Sequence, residues 1–131
     1  MVYDSETWAT KVADMHRLCR AEMMMVRWMC GVSLKGRKSS RELLDRLGIV
    51  GVAEVVRRGR LRWYGHVERK KGVGWVSKCS DPTITRFIGN GRPRKTWDQC
   101  VVEDMRACGL TTADVQKRGM WRKGIHRTPY V

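Results

Sequence analysis

The sequence has no long apolar run and few acidic residues. Residues 23–26 form one of its longest apolar stretches, and Arg27 ends it. A transmembrane helix needs about 20 apolar residues. The N-terminus, Met-Val-Tyr-Asp-Ser-Glu, is polar and acidic and does not resemble a signal peptide. We therefore expect an intracellular protein, nuclear or cytoplasmic, that has no membrane partner.

Metal-ligand spacings and catalytic motifs are missing as well. The five cysteines are separated by 10, 48, 20 and 7 residues, whereas zinc ligands usually come in close pairs. An odd cysteine count without a signal peptide also argues against a disulfide framework. The sequence lacks Gly-x-Ser-x-Gly, a Gly-rich phosphate loop with Lys, and His-Glu-x-x-His. Glu103 and Asp104 are neighbours on a predicted helix, so they point about 100° apart and do not converge on one metal. We expect no metal, no cofactor and no catalysis.

The positive charge is concentrated in the middle of the chain. The 131 residues carry 27 Lys and Arg against 13 Asp and Glu, a net charge of +14. Residues 35–95 hold 17 basic and 5 acidic side chains, a net charge of +12, while residues 1–34 are neutral. A concentrated positive field attracts polyanions, and nucleic acid is the commonest of these in a cell. We expect RNA and/or DNA as the partner; the alternative is a solvated surface that only keeps the protein soluble.

Apolar spacing predicts an all-α fold of about five helices, beginning with a long one. Apolar residues recur every three or four positions from Trp8 to Cys30, and Gly31 follows where a helix should end. This stripe is expected to be core. Ser39 and Glu42 have the spacing of a capping box, which predicts a short second helix that Gly48 ends.

Three further helices are predicted after residue 50. The third runs from about 52 to 70 and the fourth covers about 94–108, ending at Gly109. Thr111 with Asp114 opens the fifth. Three residues should supply its buried side: Val115, Trp121 and Ile125.

A long irregular Gly-containing loop, residues 72–92, separates the two helical parts, 1–71 and 93–131, which we expect to form one compact unit. Gly91-Arg92-Pro93 resembles the core of a minor-groove AT-hook, although the full hook has Arg where this chain has Asn90. We favour the alternative that Pro93 begins the next helix. Three basic residues here are kept as phosphate contacts: Arg92, Arg94 and Lys95.

The third helix carries most of the candidate nucleic-acid contacts. Its basic side chains suit phosphates and its rings suit bases. Its predicted apolar stripe consists of Val52, Val55, Val56, Gly59, Trp63 and Val67. The alternative to binding is therefore an amphipathic helix whose Trp63 packs inward while the arginines stay in solvent, and we favour core for Trp63. The candidates on this helix are Arg57, Arg58, Arg60, Arg62, Trp63, His66, Arg69 and Lys70.

Six short motifs occur in the order seen in one family. They are Tyr3-Asp4-Ser5-Glu6-Thr7-Trp8, Arg20-Ala21-Glu22-Met23, Arg27-Trp28-Met29-Cys30-Gly31-Val32, Leu61-Arg62-Trp63-Tyr64-Gly65-His66-Val67, Gly91-Arg92-Pro93-Arg94-Lys95-Thr96-Trp97 and Trp121-Arg122. Over nearly its whole length the chain resembles the C-terminal end of the polyprotein of non-LTR (LINE-type) retrotransposons. That end follows the palm of the reverse transcriptase. The chain differs from this family at Asp4, where the family usually has Gly.

The resemblance implies the end of a polymerase thumb followed by a basic helical extension. Such a segment would grip template RNA and the primed DNA target, with contacts mapping onto 57–66 and 92–97. The Ala-Asp-Asp motif of the palm and an endonuclease domain are both absent. The resemblance therefore implies a non-catalytic nucleic-acid-binding fragment of a reverse transcriptase, with the missing palm and finger domains as further partners. The alternative is a structural or protein-interaction remnant with no independent activity.

Overall fold

The computed structural model describes residues 4–70, 91 and 95–127, and within these it contains five α-helices and no strand. This confirms the all-α prediction. The helices are α1 (Val12–Cys30), α2 (Ser40–Leu47), α3 (Val52–Arg69), α4 (Trp97–Cys108) and α5 (Arg118–Ile125). Three short 3-10 turns accompany them: Ser5–Thr7, Leu34–Gly36 and Thr112–Gln116. The predicted irregular loop, 72–92, lies outside the described residues except for Gly91.

Local sequence signals set several helix ends as predicted. The Ser39 hydroxyl accepts a hydrogen bond of 3.1 Å from the amide of Glu42 at the start of α2. Helix α4 ends at Gly109, whose φ of 63° is a left-handed conformation that glycine adopts without a steric penalty. The amide of Leu110 then donates to the carbonyl of Met105 over 2.9 Å, the pairing of a Schellman ending. Helices α1 and α2 end in the same way, each at a glycine.

Helix α3 lies at the centre of the fold. It contacts α1, α4, α5 and two of the 3-10 turns. The main core comprises Leu61, Val101, Met105, Cys108, Val115, Trp121 and Ile125, with Tyr64, Trp97 and Leu110 packed against it. The ring of Tyr64 lies 6.1 Å from those of both Trp97 and Trp121, so an aromatic trio joins α3, α4 and α5.

Helices α3 and α5 approach each other closely at one glycine. The indole N–H of Trp121 donates to the carbonyl of Leu61 over 3.2 Å. A Cβ atom placed on Gly65 would overlap this indole. The absence of a side chain at Gly65 therefore lets α5 pack directly against the backbone of α3.

The segment before α1 is held against both α3 and α4. Ser5 is buried, and the indole N–H of Trp97 donates to the carbonyl of Glu6 over 2.7 Å. Farther along, the hydroxyl of Thr10 accepts a 2.6 Å hydrogen bond from Arg60. The N-terminal segment is thus an integral part of the packing around α3.

The stripe from Trp8 to Cys30, predicted as core, is buried only in part. Trp8 precedes the helix, and in α1 only Val26 is buried. Met15, Cys19, Met23 and Cys30 of the stripe are half-buried, and Val12 is exposed. The main packing partners of α1 are α2 and α3, and they leave most of its stripe only half-buried. Helix α1 also caps α3, because the carboxylate of Glu22 accepts a 2.7 Å hydrogen bond from the first amide of α3.

The buried face of α3 is also rotated from the predicted one. Val52 and Val56 are buried as predicted, but Val55 and Trp63, also predicted as core, are exposed. Leu61 and Gly65, outside the predicted stripe, are buried. Core packing on α4 and α5 decides this orientation, since Leu61 belongs to the main cluster. The apolar spacing within α3 gives no information about these partners on α4 and α5.

The two C-terminal helices begin later than predicted. Helix α4 starts at Trp97, where the Thr96 side chain caps it, so Pro93 is not its first residue. The box formed by Thr111 and Asp114 opens a 3-10 turn, and α5 starts only at Arg118. The three predicted buried residues of this region, Val115, Trp121 and Ile125, are confirmed.

Candidate functional site

Two of the candidate arginines on α3 lie inside the protein. The side chains of Arg57 and Arg60 are only 8% and 5% exposed. Arg57 donates to the Glu54 carboxylate over 2.5 Å and to the carbonyl of Arg127 over 3.0 Å. Arg60 donates to the Asp104 carboxylate over 2.7 Å. The expectation that these arginines stay in solvent is therefore wrong: Arg57 is held by Glu54, one turn before it on α3, and by the carbonyl of Arg127, while Arg60 is held by Asp104 on α4.

We call Glu54, Arg57, Arg58, Arg60 and Asp104 the buried-arginine cluster. Arg58 is more exposed than the other two arginines and donates to the same oxygen of Glu54 over 2.6 Å. Burial raises the pKa of Asp104, and the guanidinium groups of Arg60 and Arg57 offset only part of that rise. A buried ion pair is costly to break from one side, because the remaining charge loses its partner. The cluster therefore serves the packing of α3 against α4.

Of the remaining basic candidates outside α3, the structure describes only Lys95 and Lys70. Lys95 donates to the Glu103 carboxylate over 2.5 Å, and this hydrogen bond raises the pKa of Lys95. Arg92 and Arg94 lie outside the described residues. Lys70 is exposed just after the last residue of α3.

The other candidates on α3 line an open cleft between α3 and α5, which we call the basic cleft. Its volume is about 550 Å³. Helix α3 contributes Arg62, His66 and Arg69. The opposite wall and floor come from Arg118, Trp121, Arg122, Ile125 and His126.

The charge of the basic cleft is strongly one-sided. Four of its eight lining residues are arginines and two are histidines, and none is acidic. Within the described ranges, Arg62, Arg118 and Arg122 form no ion pair. Arg69 is held in place, since it donates to the carbonyl of Val115 over 3.0 Å. Unlike the buried-arginine cluster, the cleft presents its charge to solvent.

The placement of Arg118 is unfavourable for the helix that carries it. Arg118 is the first residue of α5, and this helix has no acidic residue in its first turn. A cation at a helix N-terminus opposes the helix dipole, at a cost of about 0.3–1 kcal/mol. An anion bound in the cleft would reverse this cost. Arg118 therefore does not stabilise α5 through the helix dipole.

An exposed aromatic ring stands beside the basic cleft. Trp63 is 41% exposed, and its ring stacks on that of His66 with centroids 5.6 Å apart and planes 19° apart. His66 itself lines the cleft. The structure thus brings together four of the predicted contacts: Arg62, Trp63, His66 and Arg69.

The basic residues of α5 that form the opposite wall were not among the predicted contacts. Arg118, Arg122 and His126 follow one another at intervals of four residues. This spacing places basic side chains along one side of a helix, and it was present in the sequence as a signal. The low net charge of residues 96–131, only +2, concealed it.

Other kinds of site find less support. In residues 4–70 and 95–127, no three His, Cys, Asp or Glu side chains lie close enough to share a metal ion. None of the helices described above combines the length and apolar character needed to cross a membrane. A comparison of the chain with protein-family models, curated proteins and solved structures found no match in any of the three. What the site can do therefore follows from its own geometry and charge.

Proposed function

We propose that this chain is a non-catalytic nucleic-acid-binding module that holds phosphate groups of RNA and/or DNA in the basic cleft. The observation that carries the proposal is the convergence of four arginines from two helices with no acidic residue among the lining side chains. Arginine suits phosphate because its planar guanidinium offers paired donors and stays charged at all physiological pH values. A merely solubilising surface does not require its cations to converge.

The resemblance to the retrotransposon polyprotein supports the same proposal. Two of the motifs that carry it, Leu61 to Val67 and Trp121-Arg122, are sixty residues apart in the sequence. In the fold they form opposite walls of the cleft: Arg62 and His66 lie on one side and Arg122 on the other. By this proposal the chain corresponds to the end of the thumb and the basic extension of a non-LTR reverse transcriptase, and it grips template RNA or target DNA.

Binding across a salt series tests the proposal. We expect the full chain to bind fluorescein-labelled RNA and duplex DNA, measured by fluorescence anisotropy. Contact with three or four phosphates predicts that log K falls with log salt at a slope of about −3 on duplex DNA. The double variant Arg62→Gln/Arg122→Gln should reduce this slope by about 1.8 and weaken binding at low salt by about tenfold or more.

A second double variant controls for net charge. Arg41 on α2 and Arg106 on α4 are exposed and do not line the cleft. Arg41→Gln/Arg106→Gln lowers the net charge by the same two units, and we expect it to keep nearly the wild-type slope. If both double variants weaken binding equally, binding depends on net charge and not on the cleft, and the proposed site is wrong. The proposal as a whole fails if the wild type binds neither nucleic acid at low salt.

One surface favours a second candidate function, a protein contact. Helix α1 exposes an apolar face turned away from Val26, formed by Met24, Met25, Trp28 and Met29. Exposed apolar patches of this kind commonly mark protein interfaces. The palm and finger domains implied by the resemblance would be the partner. Co-purification with a coexpressed palm-finger protein, lost in Met24→Glu/Trp28→Glu, would support this function, and the absence of co-purification would contradict it.

A further inference from the structure

We infer that the basic cleft receives a single nucleic-acid strand, with an unpaired base stacked on Trp63. This inference rests on the proposed function and specifies its ligand. It begins from the position of Trp63, which the core of α3 does not use. Its indole is 41% exposed, while the neighbouring Leu61 and Gly65 fill the buried face.

Trp63 lies on a line of residues that runs beside the cleft. Trp63, His66 and Lys70 are spaced by three and four residues, so they follow one side of α3. Arg62, His66 and Arg69, spaced by four and three, follow the adjacent side and line the cleft. The ring of Trp63 and the cleft arginines of α3 therefore lie on adjacent sides of this helix, and His66 belongs to both rows.

The contact between Trp63 and His66 fixes the indole in this position. The two rings are stacked, 5.6 Å apart between centroids, so His66 covers part of one face of the indole, and a base would stack on the opposite face. A strand whose phosphates occupy the cleft has its bases on the outer side of its backbone. The indole is the flat apolar surface that such a base meets first. Stacking of this kind accepts any base, because every base has a π-face.

A duplex does not use this arrangement fully. Its phosphates could meet the arginines, but its bases are already paired and stacked within the helix and expose only their edges in the grooves. An unpaired base exposes a whole face, which aromatic side chains recognise. The pairing of an exposed ring with a phosphate cleft therefore favours a single strand.

The test compares strands that carry the same charge. The probes are a labelled single-stranded DNA of about 12 nucleotides with mixed sequence, an abasic strand of the same length, and the corresponding duplex. Because the two single strands have equal numbers of phosphates, the cleft alone would bind them equally. We expect the wild-type chain to bind the base-bearing strand about tenfold more tightly than the abasic strand, from the magnitude of base–aromatic stacking. We also expect it to bind this strand more tightly than the duplex at equal salt.

Three variants locate the effect on one ring. Trp63→Leu should reduce the affinity ratio between the base-bearing and the abasic strand from about tenfold to about one. Trp63→Phe keeps a π-surface and should retain most of the preference. Trp28→Leu is the matched control, since Trp28 is more exposed than Trp63 but lies on α1 away from the cleft, and it should behave as wild type. Circular dichroism verifies that each variant is folded; Trp63 is outside the core, so we expect no loss of helix.

Several results would overturn the inference. One is a folded Trp63→Leu that still prefers the base-bearing strand, and another is tighter binding of the duplex than of the single strand. Both leave the proposed function intact as long as Arg62→Gln/Arg122→Gln lowers the affinity. Failure of the wild type to bind any of the three probes would contradict the proposed function itself, and the inference with it.

Discussion

Replacing Gly65 with Ala should destabilise the protein, although the same change stabilises most helices. The added Cβ would overlap the indole nitrogen of Trp121 and lie 2.9 Å from the adjacent carbon of that ring. Arg69 is also near, at 3.0 Å, but the end of its side chain can move. The indole is less free, because Trp121 is buried and hydrogen-bonded to Leu61. The substitution therefore forces α5 away from α3.

The magnitude follows from three contributions. Overpacking a tight contact costs about 1–3 kcal/mol. Displacing the indole from the Leu61 carbonyl costs about 1 kcal/mol more. The higher helix propensity of Ala offsets about 1 kcal/mol. We expect the free energy of unfolding to fall by about 2 kcal/mol, and the Tm by about 6–8 °C for a chain of this length.

A second glycine provides the control. Gly119 is exposed on α5, and a Cβ there would have no heavy atom within 4 Å. Gly119→Ala should therefore raise the free energy of unfolding by up to about 1 kcal/mol through helix propensity alone. Urea denaturation followed by circular dichroism measures both variants. If Gly65→Ala proves as stable as Gly119→Ala, the close approach of α3 and α5 described above is wrong.

Three further predictions concern the core, the buried ion pair and the C-terminal turn. Val101→Ala should lower the free energy of unfolding by about 2–3 kcal/mol, because Val101 is 2% exposed. Val102→Ala, at a residue 45% exposed, should change it by less than about 0.5 kcal/mol in urea melts. Similar losses at both sites would contradict the assigned face of α4. Arg60→Ala should lower the free energy of unfolding by about 3 kcal/mol, because it leaves Asp104 buried without its partner. The double variant Arg60→Met/Asp104→Leu should recover most of that stability. A double variant as unstable as the single one would show that the pair itself is needed. Hydrogen bonds from the Thr111 hydroxyl and amide lower the pKa of Asp114. The ionised carboxylate therefore stabilises the fold at pH values above its ordinary pKa of about 3.9, and this contribution is lost as the pH falls through the lower pKa of the folded state. The stability difference between wild type and Asp114→Asn should accordingly shrink in acid, and a difference that grows there would refute this assignment.

Much of the helical framework could be predicted because its signals are local. Ser39 and Glu42 lie within one turn, and their capping interaction depends on no other part of the fold. The same is true of the ending at Gly109 and Leu110. Burial of Val115 follows from the apolar pattern around it. Such signals survive because the residues that satisfy them are separated by only three to five positions.

The orientation of α3 could not be predicted in the same way. Arg60 is buried because its partners, Asp104 and Thr10, lie 44 and 50 residues away. No pattern within α3 identifies these partners. For the same reason, the predicted stripe placed Trp63 inward and counted Arg57 and Arg60 among the solvent-facing cations. The candidate site was therefore half predicted: the wall from α3 was anticipated, whereas the four-residue spacing of the basic residues on α5 was recognised only once the fold placed them opposite α3.

The packing of the N-terminal segment has a consequence for how the chain folds during synthesis. The indole N–H of Trp97 donates to the carbonyl of Glu6, 91 residues away. The thiol of Cys100 donates a weak hydrogen bond to the carbonyl of Thr10, 90 residues away. A ribosome releases the first partner long before it has made the second, at about 5–20 residues per second. The opening segment must therefore wait until α4 emerges, about 5 s at the faster rate and about 18 s at the slower one. Contacts of such high sequence separation also slow folding. Closure of this fold is a late event, completed only when nearly the whole chain is present.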